Sequence, residues 1–258
     1  MATDKKHEDN NDLVIHFLTH RKVLGWMGFL LPFVLMIGSK LLYGELETSI
    51  SNYFYTCFRD VFVVTLCGVA LFLFAYKGYK DSRDSLITNL AGVFGLLTAF
   101  IHTSFKSKIH LPSYQLLSQR VDPKTDLFLP LDPGCIKICE PYSLTPGDYP
   151  AWLGITHLVC AMLFFFTLAY MSGWQFTKTS GALTPEKILR NKIYKFCAGL
   201  IIFCILALIP CFALGDNVKA FYNQHKLIFW AESTSLWAFG FSWLVKGEFI
   251  LKDKEEKK

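Results

Sequence analysis

Whatever chemistry this chain performs rests on five polar side chains set inside or at the edges of apolar runs: Arg59, Asp60, His102, His157 and Glu232. An ionisable group at the centre of a membrane helix costs about 2.5–3.5 kcal/mol on insertion scales, so such groups pair with one another or serve a function. As a binding set they suit a lipid headgroup or a small polar ligand. Arg59 would meet an anionic group, Asp60 and Glu232 would balance charge, and the two histidines would tune the site near neutral pH. As an enzyme set, Asp60, His102, His157 and Glu232 would hold a divalent metal and activate water for lipid hydrolysis or acyl transfer. No HExxH, GxSxG or closely spaced His pair accompanies them. The Ser49-Ile50-Ser51 segment could add a hydroxyl. A third reading needs no ligand: a buried polar network, such as Arg59 with Glu232, that fixes helix register. Only the enzyme reading expects a metal, and the sequence specifies no cofactor.

These side chains are positioned by apolar runs. Hydrophobic residues make up 52% of the 258 residues and charged residues 18%, with 24 Phe. Average soluble domains carry about 25% charged residues, so a disordered chain, a coiled coil and a disulfide-rich secreted scaffold all fit poorly. A bilayer core about 30 Å thick takes roughly 20 apolar residues of helix. Six runs qualify: Val23–Tyr43, Cys57–Tyr76, Leu86–Ser104, Ala151–Ser172, Ile193–Leu214 and Leu227–Val245. Backbone groups in lipid must pair internally and the runs lack strand alternation, so each reads as a helix. The leader before Val23 places Leu13, Val14, Phe17 and Leu18 at helical spacing, as a short interfacial helix would.

The net charge of +5 does not point to nucleic acid, because the charges lie in the tails and between the runs. Lys and Arg concentrate in the leader, the second and fourth loops and the tail, which puts both termini in the cytoplasm. The expected architecture is an all-α membrane protein: a six-transmembrane-helix bundle with an outer-side loop cap, in the inner or plasma membrane. Residues 1–22 form a cytoplasmic segment, 23–245 the transmembrane domain and 246–258 a charged cytoplasmic tail. The basic cytoplasmic residues read as topology determinants rather than as a lipid-specific cluster. Alternating helix direction then sets depth. Arg59, Asp60 and His102 lie near outer ends, while His157 and Glu232 lie about two turns down, roughly 9 Å. Gly92, Gly95, Ala99 and His102 share a helix face, as do Gly154, His157 and Ala161. Ala231, Ser235, Ala238 and Ser242 form a third small-residue stripe, with Glu232 on its flank.

The one large loop, residues 105–150, has Pro- and Gly-containing turns and short apolar stretches, and reads as a compact cap. It holds Cys135 and Cys139, expected to form a local disulfide on the oxidising side, where zinc would lack ligands. Cys197, Cys204 and Cys211 repeat every seven residues and read as packing residues between helices.

At Ser49-Ile50-Ser51-Asn52-Tyr53, followed by Arg59-Asp60-Val61-Phe62, the chain resembles uncharacterised bacterial integral membrane proteins. Those have a His in the fourth span and a Glu in the sixth ahead of a Trp-rich end, here His157, Glu232 and Trp243-Leu244-Val245-Lys246-Gly247-Glu248. More distantly it is similar to the DRAM/Sfk-type six-span family, which opens its second span after an Ile-Ser element. That resemblance implies a role connected with membrane lipids and specifies no reaction.

Overall fold

A run of apolar residues without alternation can satisfy its backbone only by coiling on itself, and every regular element among the described residues is helical. The structure is a computed structural model that describes residues 2–76, 82–101, 103, 151–178 and 184–251. In chain order the helices are α1 (Ala2–Tyr43), α2 (Arg59–Ala75), α3 (Ser82–Phe100), α4 (Ala151–Tyr170), α5 (Pro185–Ala213), α6 (Asp216–Gln224) and α7 (Leu227–Lys246). A buried 3-10 helix, Ile50–Tyr55, lies between α1 and α2, and a single π turn, Met171–Gln175, extends α4.

Helix limits follow local chemistry. α1 continues through the whole leader instead of leaving a separate interfacial helix, because no Gly or Pro interrupts the chain between Ala2 and Leu24. Pro32 sits within α1 and is buried in the bundle. α5 begins two turns ahead of its apolar run. The Thr184 hydroxyl accepts the Lys187 N–H at 3.3 Å, and Pro185 supplies a first residue whose missing N–H costs nothing there. The π turn lets α4 end on two tertiary contacts. Ser172 donates to the Tyr194 carbonyl at 3.1 Å, and Gln175 donates to the Asp84 carbonyl at 3.2 Å.

The long helices close into a ring. Each packs against its neighbour in sequence, and α7 returns to pack against α1. Contacts between opposite helix ends show the alternation. The middle of α1, where its apolar half begins, meets the end of α7 through Arg21 and Lys246, and the start of α3 meets the end of α4 through Asp84 and Lys178. The interior fills as two apolar clusters. One gathers Leu24, Leu73, Leu168, Phe176, Ile201 and Trp243; the other gathers Leu35, Tyr53, Phe62, Leu66, Phe229 and Leu236.

The outside of the ring is apolar too. Leu41, Val64, Leu71, Ile155, Phe196 and Phe203 are all more than 60% exposed, a belt that water would not tolerate on a folded monomer. Three stretches, His16–Tyr43, Trp152–Gln175 and Pro185–Ala213, are long and apolar enough to cross a membrane. α7 is less apolar, with Glu232 and four hydroxyl residues, and much of it faces protein: Ser233, Ser235 and Ser242 are buried. A helix walled by other helices does not need lipid-soluble side chains all round.

Close approach of α1 and α7 depends on glycine. A Cβ on Gly240 would stand 2.6 Å from the Gly25 carbonyl oxygen and 2.6 Å from the Phe29 nitrogen, and both are backbone atoms that cannot swing aside.

Candidate ligand-binding site

The segment between α1 and α2 docks on the first turns of α7. Ser49 caps the 3-10 helix by accepting the Ser51 N–H at 3.0 Å, and Asn52 donates to the Thr48 hydroxyl at 2.7 Å. α7 starts at Lys226 in a left-handed conformation with no side-chain cap, so its first N–H groups need outside partners. Phe229 N–H finds one in the Thr48 carbonyl at 3.0 Å. One turn on, the Glu232 carboxylate reaches back to the same segment. Ile50 N–H donates to Oε2 at 2.6 Å and the Ser49 hydroxyl donates to Oε1 at 3.4 Å. The carboxylate thus meets the first N–H of a helical turn, where negative charge is stabilised. Tyr53, buried within the segment, accepts the Glu47 N–H at 3.5 Å, and burial raises its phenol above the ordinary range.

The same segment continues across the bundle. The Arg59 guanidinium lies over the Phe54 ring, 4.6 Å from its centre, a cation–π arrangement. Tyr55 donates to the Thr103 carbonyl at 2.5 Å. Two residues before Thr103, the Ile101 carbonyl accepts from His157 Nδ1. A carbonyl can only accept, so the proton sits on Nδ1 of this buried imidazole. A continuous line of bonds and contacts therefore runs from Glu232 through residues 49–55 to the end of α3 and on to His157, with Arg59 attached beside it.

Of the five residues singled out from sequence, Arg59, His157 and Glu232 are tied into this line. Asp60 stands exposed on the first turn of α2. His102 lies outside the described residues, as do Cys135 and Cys139. Glu232 and Ser49, both named beforehand, are bonded to each other. Most of the small-residue faces turn inward: Gly92, Gly95, Ala99, Ala161, Ser235, Ala238 and Ser242 are buried, while Gly154 and Ala231 are half-buried. Cys197, Cys204 and Cys211 are buried as well. No group of three or more His, Cys, Asp or Glu side chains among the described residues is placed to hold a metal ion.

Sequence reasoning passed over a second polar layer at the other end of the bundle. Arg21 Nη1 donates to the Lys246 carbonyl at 3.4 Å, and its guanidinium lies 5.7 Å from the Tyr76 ring centre. Lys246 Nζ donates to the Phe176 carbonyl at 3.1 Å and sits over the Phe176 and Tyr194 rings. Arg190 pairs with Glu248 at 3.8 Å, and Lys178 pairs with the buried Asp84 at 2.6 Å. Burial, reinforced by Arg21 and Arg190 nearby, pushes the Lys246 ammonium down to about 8, with Glu248 opposing. A cavity of about 160 Å³ opens in this layer between α1, α2 and α7, lined by His16, His20, Arg21, Tyr76 and Trp243 above an apolar floor. The available signal was the Trp243–Glu248 stretch, which carries a lysine and a glutamate at the end of an apolar run; Arg21 looked like one more topology charge.

No known protein family, curated protein or solved structure matches this chain.

Proposed function

We propose that the chain is a six-span membrane protein with both termini cytoplasmic, and that it binds a lipid headgroup or small polar ligand at its outer-leaflet end. The observation that carries the reading is the bonded line linking Glu232, residues 49–55 and His157, with Arg59 beside it. Charged and titratable groups from α2, α4 and α7 are joined at this end of the bundle, apart from the second polar layer at the other. The six-span topology draws support from the ring of six long helices, the apolar belt outside it and the distribution of Lys and Arg. In this reading Arg59 engages an anionic headgroup, and the Glu232 clasp holds the segment that carries Phe54 in place beneath it.

Native mass spectrometry of the purified protein tests this directly. A retained lipid or small molecule that is released by Arg59→Ala supports the assignment; identical spectra for wild type and Arg59→Ala would sink it.

One observation favours a second, structural reading. Both Glu232 oxygens are already engaged by Ile50 and Ser49, as expected of a clip that only fixes helix packing. On that reading Glu232→Gln lowers stability and leaves every bound molecule unchanged.

A further inference from the structure

We propose that the cavity between α1, α2 and α7 binds the phosphate of an anionic phospholipid in the leaflet at the Arg21–Lys246 end, a site separate from the outer one. It rests on the function proposed above only in taking the bundle to span a membrane.

Two unmet donors point to the ligand. Trp243 is 1% exposed, and its indole N–H has no acceptor among the described residues. The Nε–H of Arg21 is likewise buried without an acceptor there. Both residues line the same cavity. A buried N–H left unpaired is costly, and a small shift of either side chain toward the cavity that both residues line would bring its donor to an oxygen acceptor there. A phosphate offers several, with a charge that guanidinium recognises well.

Local charge agrees. Arg21, Arg190 and Lys246 stand close enough to influence one another, and Glu248 is the acid that opposes them. Among the described residues of the layer Arg21, Arg190, Lys246 and Lys178 outnumber Glu248 and Asp84, an excess of positive charge that an anion relieves. Depth agrees too. The apolar part of α1 begins at Val23, so Arg21, His20 and His16 lie within about 10 Å of its edge, at headgroup level. Leu24, Phe72 and Ala75 line the apolar end of the cavity, where acyl chains begin. His16 and His20 are exposed, so the cavity runs from the surface to buried Trp243.

The test uses the full chain in detergent with native mass spectrometry, titrated with phosphatidylglycerol, phosphatidylcholine, oleate and inorganic phosphate. Trp243→Phe keeps the ring and removes the donor; Arg21→Lys keeps the charge and removes Nε–H. Wild type should retain phosphatidylglycerol in preference to phosphatidylcholine. Each variant should weaken that retention about tenfold, the usual loss for one hydrogen bond to a charged group, and should do so equally in an Arg59→Ala background that lacks the outer site. Retention unaffected by either variant overturns the site. Equal occupancy by oleate or inorganic phosphate overturns the phospholipid assignment. Loss in Arg59→Ala alone moves the lipid to the outer end, which sinks this inference and leaves the first proposal standing.

Discussion

The backbone N–H of Ile50 donates to the carboxylate of Glu232 at 2.6 Å, joining the loop after α1 to a helix 182 residues further along the chain. The bond is charge-assisted and short, and it sits beside the Phe229–Thr48 backbone bond, so the loop and α7 are held at two successive points. Removing the carboxylate exposes what the loop is worth to the bundle. Glu232→Gln keeps an acceptor but loses the charge and should cost about 1–2 kcal/mol. Glu232→Leu leaves Ile50 N–H without a partner and should cost about 2–4 kcal/mol. Unfolding midpoints in a mild detergent measure both, and equal midpoints for Leu and wild type would refute the clasp.

Gly240 and Gly199 form a matched pair. At Gly240 a methyl would press on Gly25 and Phe29 backbone at 2.6 Å, so Gly240→Ala must push α1 and α7 apart, at about 1–3 kcal/mol. At Gly199, also within a helix, nothing stands within 4 Å of the added carbon. There Gly199→Ala should leave stability unchanged or raise it by up to about 1 kcal/mol, through the better helix propensity of alanine. The two midpoints, measured together, check the direction of each.

Lys178 neutralises an Asp84 carboxylate that is 2% exposed. Lys178→Met strands that charge and should cost about 3–5 kcal/mol. Asp84→Asn in the Lys178→Met background removes the stranded charge and should recover part of the loss. A double-mutant cycle on thermal midpoints tests this; additive losses would mean the pair does not interact.

Lys246 lies just past the apolar run Leu227–Val245, with its folded-state pKa lowered from 10.5 to about 8. For a lowered lysine, the charged form is the one that folding disfavours. Below about pH 8 both states carry the proton and the full penalty applies. Between about 8 and 10.5 the unfolded chain holds more protons than the folded one, so stability rises with pH across that window. Lys246→Met should abolish this contribution. Denaturation midpoints at pH 7, 8, 9 and 10 measure it; a wild-type curve that is no steeper than that of Lys246→Met over this range excludes the effect.

The helix limits were legible in the sequence because they depend on local and additive quantities. α7 runs from Leu227 to Lys246, one residue beyond the apolar stretch, and α4 starts at Ala151 as that stretch does. The Ser49–Asn52 turn was not read in advance: the segment stood out only for its hydroxyls, and the structure shows it capping itself. Where the helices exceed the apolar runs, at the starts of α1, α3 and α5, the extra turns are mostly polar. Hydropathy does not register them, although the absence of breakers and the Thr184-Pro185 start do.

Partners were a different matter. The sequence by itself determined which stretches are helical and that Arg59, His157 and Glu232 are titratable groups among apolar ones. Only the tertiary structure decided that Glu232 meets Ile50, that His157 meets Ile101, and that Arg21, Lys246 and Trp243 gather at the opposite end. The reason is geometric. Each residue turns the side chain by about 100° around its helix, so which groups meet depends on the rotation and closeness of two whole helices. Those are set by contacts such as Gly25 against Gly240, more than two hundred residues apart in the chain.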